Sequence, residues 1–512
     1  MNYLTEDMFH LLPESKYVCV VIPKLFSEAE CKGLLTEHIQ QSFQKAIEHY
    51  PTYYRNNDRL VIDSEPLAQQ LLEKVKPFLP EILTVQSDNS VEQGVWHLKE
   101  LNNRFRYCRY TTGQYFNRHL DGVHYRSHQV QSKLTFMLYL NSSDGFEGGR
   151  TLFYRSKESQ EIWAAYLPKQ GDLIIFDHNI WHEGEKLLAG EKYVLRSDIL
   201  YEKIAEEDAS ISPRLTQFCE GHLGYIWKLL PFSNRLFVSG GRDRIIKIWD
   251  VNGVCKQRLP AHQNSILCLA QINDNVFISG SRDQTIKVWE LNNEHFALKT
   301  EMRLHQAVVL SLCKVNDETF ASSGGDKLIH ISTIQGNHLC TLQGHTDWVW
   351  NIIMLSENVL ASCSEDTTIK IWEINQGCCQ STLHDHCPVH SIAFDKESNR
   401  LISGNFNGEI TCQTTHSQFA DWQPEKRFQA HNSIIRTLLL INQRYLASGG
   451  EDNKVRLWDL SNAQCLAEFQ HTNFVQSLAL NGNNQLLSAS YDGQINTWDL
   501  PAEITGYNAA RS

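Results

Sequence analysis

No run of 18 uninterrupted apolar residues occurs anywhere in the 512 residues, so the sequence predicts no membrane-spanning helix. An excess of basic charge is also missing. Lys and Arg number 47 against 59 Asp and Glu, and the deficit is spread over the chain, 23 against 30 in 1–212 and 24 against 29 in 213–512. Duplex-binding proteins usually show a basic face, so nucleic acid is not expected as the main partner. The 14 cysteines form no CxxC…CxxC frame, and Cys378-Cys379 is the only close pair. Cys268, Cys313 and Cys363 sit inside apolar strand-like runs, as reduced core fillers would. The first residues, Met-Asn-Tyr-Leu-Thr-Glu-Asp, are acidic where a secretion signal is basic. These features together predict a cytoplasmic globular protein.

What the second half has is a repeat. Seven His residues, 222, 262, 305, 345, 386, 431 and 471, are spaced 40, 43, 40, 41, 45 and 40 apart. Each is followed by a turn position held by Asp243, Asp283, Asp326, Asp366, Asn407, Asp452 or Asp492. Four residues before each turn stands a serine, from Ser239 to Ser488. Six residues after it stand Trp249, Trp289, Ser332, Trp372, Gln413, Trp458 and Trp498. Short alternating runs such as Ile245–Trp249 read as strands between Gly/Asp turns. His305 and His386 mark the weaker units. This pattern resembles WD repeats over roughly 215–500. The resemblance implies a seven-bladed β-propeller in which His, Asp, Ser and Trp form a hydrogen-bonded tetrad in each complete blade. It also implies an outer strand, Arg214 to Cys219, closing the ring. The His and Asp residues are then scaffold, and the propeller's faces are free to hold a protein or peptide.

The first half has no repeat. Val18–Pro23 reads as a strand. Ser27 and Glu30 form a capping box at the start of a helix, and a second helix is predicted over Ser64 to Phe78. From about Val95 the pattern turns to strands, at 104–110, 132–141, 151–154, 172–176 and 192–201. His119 and Asp121 are two apart, so an extended chain points both to one face. His182 follows 61 residues after Asp121. Two imidazoles and a carboxylate suit one face of a ferrous ion. His178 is a rival for the distal position, and His124 and His128 lie nearby.

Between and beyond these residues lie a Gly148-Gly149 turn and a basic strand, Gly190 to Asp198. In that order the motifs of 95–201 resemble the prolyl 4-hydroxylase-like branch of Fe(II)/2-oxoglutarate dioxygenases, with a looser likeness over 17–94. The resemblance implies a mainly β double-stranded β-helix (jelly-roll) core with N-terminal helices. It implies Fe(II) held by His119, Asp121 and His182, with 2-oxoglutarate and O2 as cosubstrates and ascorbate as a candidate reductant. The 2-oxoglutarate C5 carboxylate would pair with a basic residue about ten past the distal His. Position favours Lys192. Bidentate geometry favours Arg196, about 13 Å further along the strand. Tyr110 is a candidate hydrogen-bond donor to the cosubstrate. Asp121, rather than a small residue, favours hydroxylation over halogenation. Nucleic-acid demethylases of the superfamily carry two arginines six apart, whereas Arg196 has Glu202 at that offset. The expected organisation is an oxygenase-like domain at 1–205, a linker at 206–214, a propeller at 215–500 and a tail at 501–512. The expected function is hydroxylation of a protein side chain recruited by the propeller. The alternatives are a non-catalytic scaffold with a degenerate oxygenase domain, or a hydroxylase of a free amino acid or small molecule.

Overall fold

The computed structural model describes residues 8–15, 17–39, 43–45, 54–85, 93–127, 129–157, 159–204, 222–232, 236–292, 295–417, 419–481, 485–500 and 504. The chain separates into two compact units, Met1–Ser210 and Ile211–Ser512. The expected linker at 206–214, the closing strand at 214–219 and His128 lie outside the described residues. Among the described residues no helix is long and apolar enough to cross a membrane.

The first unit is built on an 11-stranded sheet facing a four-stranded one. The strands used below are β1 (Cys19–Ile22), β2 (Asp58–Asp63), β3 (Arg104–Thr111), β4 (Phe116–His119), β5 (Val130–Tyr139), β6 (Thr151–Tyr154), β7 (Ala164–Tyr166), β8 (Leu173–Asp177), β9 (Trp181–Gly184) and β10 (Leu187–Lys203). The large sheet runs β1-β8-β5-β10-β3-β2 through its centre, and the small one runs β7-β6-β9-β4. All their pairings are antiparallel. This is the jelly-roll arrangement that the sequence predicts.

Alternation along the central strands decides what lies on each face. On β3, Phe105 and Tyr107 join a core with Trp96, Phe136, Leu195, Leu71 and Val75, under the helices. Cys108 and Tyr110 face the other way, into a second core with Phe116, Tyr139, Phe153 and Phe176. That second core is the space between the sheets.

Among the described residues the two α-helices of this unit are Glu28–Ile39 and Glu65–Val75. The first has the expected capping box: Glu30 accepts from the Ser27 N–H at 2.7 Å, and the Glu30 N–H donates to Ser27 Oγ at 3.2 Å. The second is capped by Ser64 and tightens into a 3-10 turn over Lys76–Phe78. Two differences from the sequence reading matter. The last strand begins at Leu187 rather than 192, because Leu187–Gly190 pairs with Phe146–Gly148. The helical lead-in also contains β2, which pairs with β3 on one side and with the short strand Gln44–Lys45 on the other.

In the second unit seven antiparallel sheets follow one another, at 226–260, 266–302, 309–343, 349–384, 389–429, 435–470 and 475–498. Six have four strands, and the seventh has three among the described residues. The innermost strand of each sheet packs on that of the next, and that of the seventh packs on that of the first. The ring is therefore closed. Tyr225 and Tyr491 stack across the closure at 3.9 Å, and the Leu229 N–H donates to Ser477 Oγ at 3.0 Å.

The tetrads account for the repeated spacing in physical terms. In the first sheet His222 Nδ1 meets Asp243 at 2.9 Å and His222 Nε2 meets Ser239 Oγ at 2.6 Å, while Trp249 Nε1 donates to the same oxygen at 2.8 Å. The second, fourth and sixth sheets repeat this set. The seventh keeps it with a longer His471–Asp492 contact of 3.6 Å. Each buried polar atom is thereby partnered. The third sheet keeps His305, Asp326 and Ser322, but Ser332 Oγ, at the tryptophan position, is buried without a partner. The fifth departs further. His386 is half exposed and lies between Asp385 (2.8 Å) and Glu409 (2.9 Å), outside any tetrad. Asn407 stands where the other sheets have an acid, and Asp385 and Glu409 hold the imidazole instead.

Candidate functional site

The site forms where β4 and β9 pair. His119 and His182 are direct cross-strand partners, and their rings lie 4.2 Å apart. Asp121 follows two residues after His119 and brings Oδ1 to 3.7 Å from His119 Nε2 and Oδ2 to 3.5 Å from His182 Nε2. One donor atom from each of the three lies within 4.8 Å of the others.

The protonation pattern follows from the hydrogen bonds. His119 Nδ1 sits 2.7 Å from the Asn117 carbonyl, and His182 Nδ1 sits 2.9 Å from the Ile180 carbonyl. A carbonyl only accepts, so each Nδ1 carries the proton and each Nε2 presents a lone pair. Both Nε2 atoms are buried with no hydrogen-bond partner. Burial lowers both imidazoles, and His182 falls to about 3, keeping the rings neutral. For Asp121, burial alone would raise the carboxyl. The Arg196 guanidinium outweighs it and holds the group well below the usual carboxylate range. Two neutral imidazole lone pairs and one ionised carboxylate converging in a dry interior fit a first-row divalent cation.

Asp121 is supported from behind. Arg196 Nη2 donates to both carboxylate oxygens at 2.6 Å, and Thr135 Oγ1 donates to Oδ2 at 2.6 Å. Lys192 lies elsewhere. It is 2% exposed, donates to the Gly149 carbonyl at 2.6 Å, and stands 4.7 Å above the Tyr110 ring. Lys192 and Tyr110 are register partners on β10 and β3. Burial lowers the lysine from 10.5 to about 8, against the opposing pull of Cys108 and Glu185. It raises the Tyr110 phenol to about 12. The Gly148-Gly149 turn is needed for this approach. Both glycines have positive φ (75° and 69°), and a Cβ on Gly149 would stand 2.7 Å from Leu187 Cδ1.

The structure thus brings His119, Asp121, His182 and Arg196 together, and separately Lys192, Tyr110 and the glycine turn. His178 does not join the metal-ligand group. It is buried, and neither ring nitrogen has a hydrogen-bond partner. Near the site, the His124 N–H donates to Ser132 Oγ at 2.7 Å.

Sequence reasoning missed three residues. Phe116 stacks on His119 at 3.6 Å and 17°, and the Arg55 guanidinium lies 3.9 Å over the other side of that ring. Thr135 is the third. Odd spacing hides Phe116, because a register shift opposite 182–184 puts Phe116 and His119 on one side of β4. Arg55 and Thr135 have no local sequence signal; tertiary pairing alone delivers them.

Comparison with known proteins adds the following. Residues 105–197 match the 2OG-Fe(II) oxygenase superfamily. WD domain, G-beta repeats match at 213–250, 253–290, 336–373, 377–412, 422–459 and 463–499. The third sheet is formed even though its first three strands, over 309–333, lie outside every matched repeat. Among curated relatives, "DDB1- and CUL4-associated factor 10" of Xenopus laevis is 35% identical over 111 residues, 21% of this chain and 24% of that protein. The Homo sapiens protein of that name is 35% identical over 111 residues, 20% of its length. The Danio rerio protein is 30% identical over 139 residues, 26% of this chain and 27% of that protein. The match thus spans about a quarter of these relatives or less.

Proposed function

We propose, for a chain that carries a 2OG-Fe(II) oxygenase domain and a set of WD repeats, that it is an iron- and 2-oxoglutarate-dependent dioxygenase hydroxylating a side chain of a protein recruited by its propeller. One observation carries the reading: the two buried, unpartnered Nε2 atoms of His119 and His182 facing the ionised Asp121.

In this proposal His119, Asp121 and His182 hold the iron. Iron with 2-oxoglutarate and O2 supplies the oxidising chemistry, releasing succinate and CO2 and placing one oxygen in the substrate. The remaining steps belong to the chain's own groups. Arg196 and Thr135 fix the Asp121 carboxylate, and the Asn117 and Ile180 carbonyls fix both imidazole tautomers. Lys192 takes the C5 carboxylate of 2-oxoglutarate, because Arg196 is already committed to Asp121. Tyr110 lies beneath the Lys192 ammonium and excludes water from it. The Phe116 ring closes one face of His119. Ascorbate as reductant, a cytoplasmic location and the absence of a membrane or nucleic-acid partner belong to the same proposal.

The test is succinate release by the full chain with Fe(II), 2-oxoglutarate and O2, with and without ascorbate, beside His119→Ala. Iron-dependent release lost in the variant is the expected result. Equal background release in both proteins would refute catalysis. Mass spectrometry of treated lysate for a gain of one oxygen then separates protein from small-molecule substrates.

A second reading is an adaptor without turnover. It is favoured by the relatives' name, which associates those proteins with DDB1 and CUL4. Co-purification of DDB1 or CUL4 with a chain that consumes no 2-oxoglutarate is its signature.

A further inference from the structure

We propose that the third propeller sheet carries a binding site for a borderline divalent transition ion such as Zn2+, formed by His330 and His338 with Thr341. The argument starts from charge. Four residues after the tetrad acid, the propeller places a side chain facing the neighbouring strand. That position holds Lys247, Lys287, Lys370 and Arg456 in the first, second, fourth and sixth sheets, all of which have a complete tetrad. Arg456 donates to Asp452 at 2.7 Å, and Lys370 donates to Thr382 at 3.1 Å. A cation thus stands on this face beside the buried His–Asp pair in these four sheets, whereas the seventh, with its His–Asp pair kept, has Asn496 there and the fifth has Thr411. The third sheet has its pair, His305 and Asp326 at 3.0 Å, but the position holds His330.

His330 is not alone. Its Nδ1 lies 3.3 Å from His338 Nε2, and both nitrogens lie 3.0 Å from Thr341 Oγ1. Three lone-pair atoms therefore form a triangle with edges of 3.0, 3.0 and 3.3 Å. Bonds of about 2.0–2.1 Å at tetrahedral angles separate zinc ligands by roughly 3.3 Å, so the triangle matches one face of such a site. Imidazole is a preferred ligand for this class of ion. Thr341 is a register partner of His330 on the paired strand, so the two are held by the sheet itself.

The opposite edge of the His330 ring is dry. His330 is 93% buried by its residual exposure of 7%, yet its Nε2 has no hydrogen-bond partner. A metal on Nδ1 requires the proton on Nε2. A ring nitrogen of His330 lies within 4.8 Å of donor atoms of Asp326 and His305. The ion would restore the positive charge that lysine or arginine supplies in the four sheets named above. His338 is exposed, so ions reach the site from solvent.

The test is equilibrium dialysis of the metal-stripped full chain against Zn2+, with elemental analysis, for wild type, His338→Ala and His119→Ala. His338 is exposed, so its replacement leaves the fold intact, which circular dichroism verifies. The expected result is one equivalent fewer in His338→Ala than in wild type. His119→Ala keeps that equivalent, and a protein carrying both His119→Ala and His338→Ala loses it. Unchanged zinc content in His338→Ala would overturn the proposal and leave a simple His330–His338 hydrogen bond. The readout does not depend on oxygenase activity.

Discussion

Replacing Lys192 with methionine is predicted to stabilise the protein while disabling it. The Lys192 ammonium is fully buried with one carbonyl acceptor, and its pKa falls from 10.5 to about 8. A shift of that size corresponds to about 3 kcal/mol of folding free energy at pH 7, at about 1.4 kcal/mol per unit. Methionine has similar length, no charge to desolvate and a good fit in an apolar core. The cosubstrate-free oxygenase unit of Lys192→Met should therefore melt several degrees higher, at about 2–4 °C per kcal/mol for a unit of this size.

Loss of the buried charge partner should weaken 2-oxoglutarate binding by about 3 kcal/mol, roughly 150-fold. The sign with pH is fixed by the direction of the shift. Between about 8 and 10.5 the unfolded chain holds a proton on this lysine that the folded chain lacks, so wild-type stability rises with pH through that window. The gap between wild type and Lys192→Met should close by the end of it. The assays are thermal unfolding at a series of pH values and calorimetric titration with 2-oxoglutarate in the presence of Fe(II). A variant that binds 2-oxoglutarate as tightly as wild type, or a gap that stays constant with pH, would refute the reasoning.

Arg196→Met should remove the donor from both Asp121 oxygens and lower iron affinity about 10–100-fold, read by metal dialysis, with rescue by neither Lys192 nor added 2-oxoglutarate. Gly149→Ala forces a side chain into a left-handed backbone 2.7 Å from Leu187 Cδ1, and should destabilise the unit by about 1–3 kcal/mol in urea unfolding while displacing Lys192. In the propeller, His345→Ala empties a complete tetrad and leaves Ser362 and Asp366 short of a partner, with an expected loss of about 1–3 kcal/mol. His386→Ala removes a half-exposed ring whose partner Asp385 keeps Arg427, and should cost less than His345→Ala, about 1 kcal/mol or below; equal losses in the two variants would contradict the tetrad argument.

The metal-binding residues were legible because their chemistry leaves a spacing. His119 and Asp121 are two apart, and His182 meets them through one strand pair. The propeller was legible for a similar reason, since seven repeats of one frame outweigh the degeneracy of two. The sequence did not separate Lys192 from Arg196, because both point inward from one strand and alternation treats them alike. Only the position of Asp121 distinguishes them, and that depends on a loop whose path no periodicity encodes. Phe116 was hidden by a bulge, and Arg55 by the distance in sequence between its segment and β4. His386 marks a weaker unit in the sequence, but a frame that counts residue types does not say where its ring goes. The competing carboxylates, Asp385 next to it and Glu409 across the turn, decide where the ring goes.

The unbroken 17-residue strand Leu187–Lys203 carries Lys192 and Arg196 on one face, and it is paired along its length with four neighbours. A single-residue insertion between the two would therefore turn one of them outward into the helix-covered core, whereas a two-residue insertion would keep both inside. Parity, more than length, governs which changes this segment tolerates. An odd insertion would also leave a guanidinium or an ammonium stranded among Trp96, Phe136 and Leu195, and the chain would sooner break the strand than accept that burial.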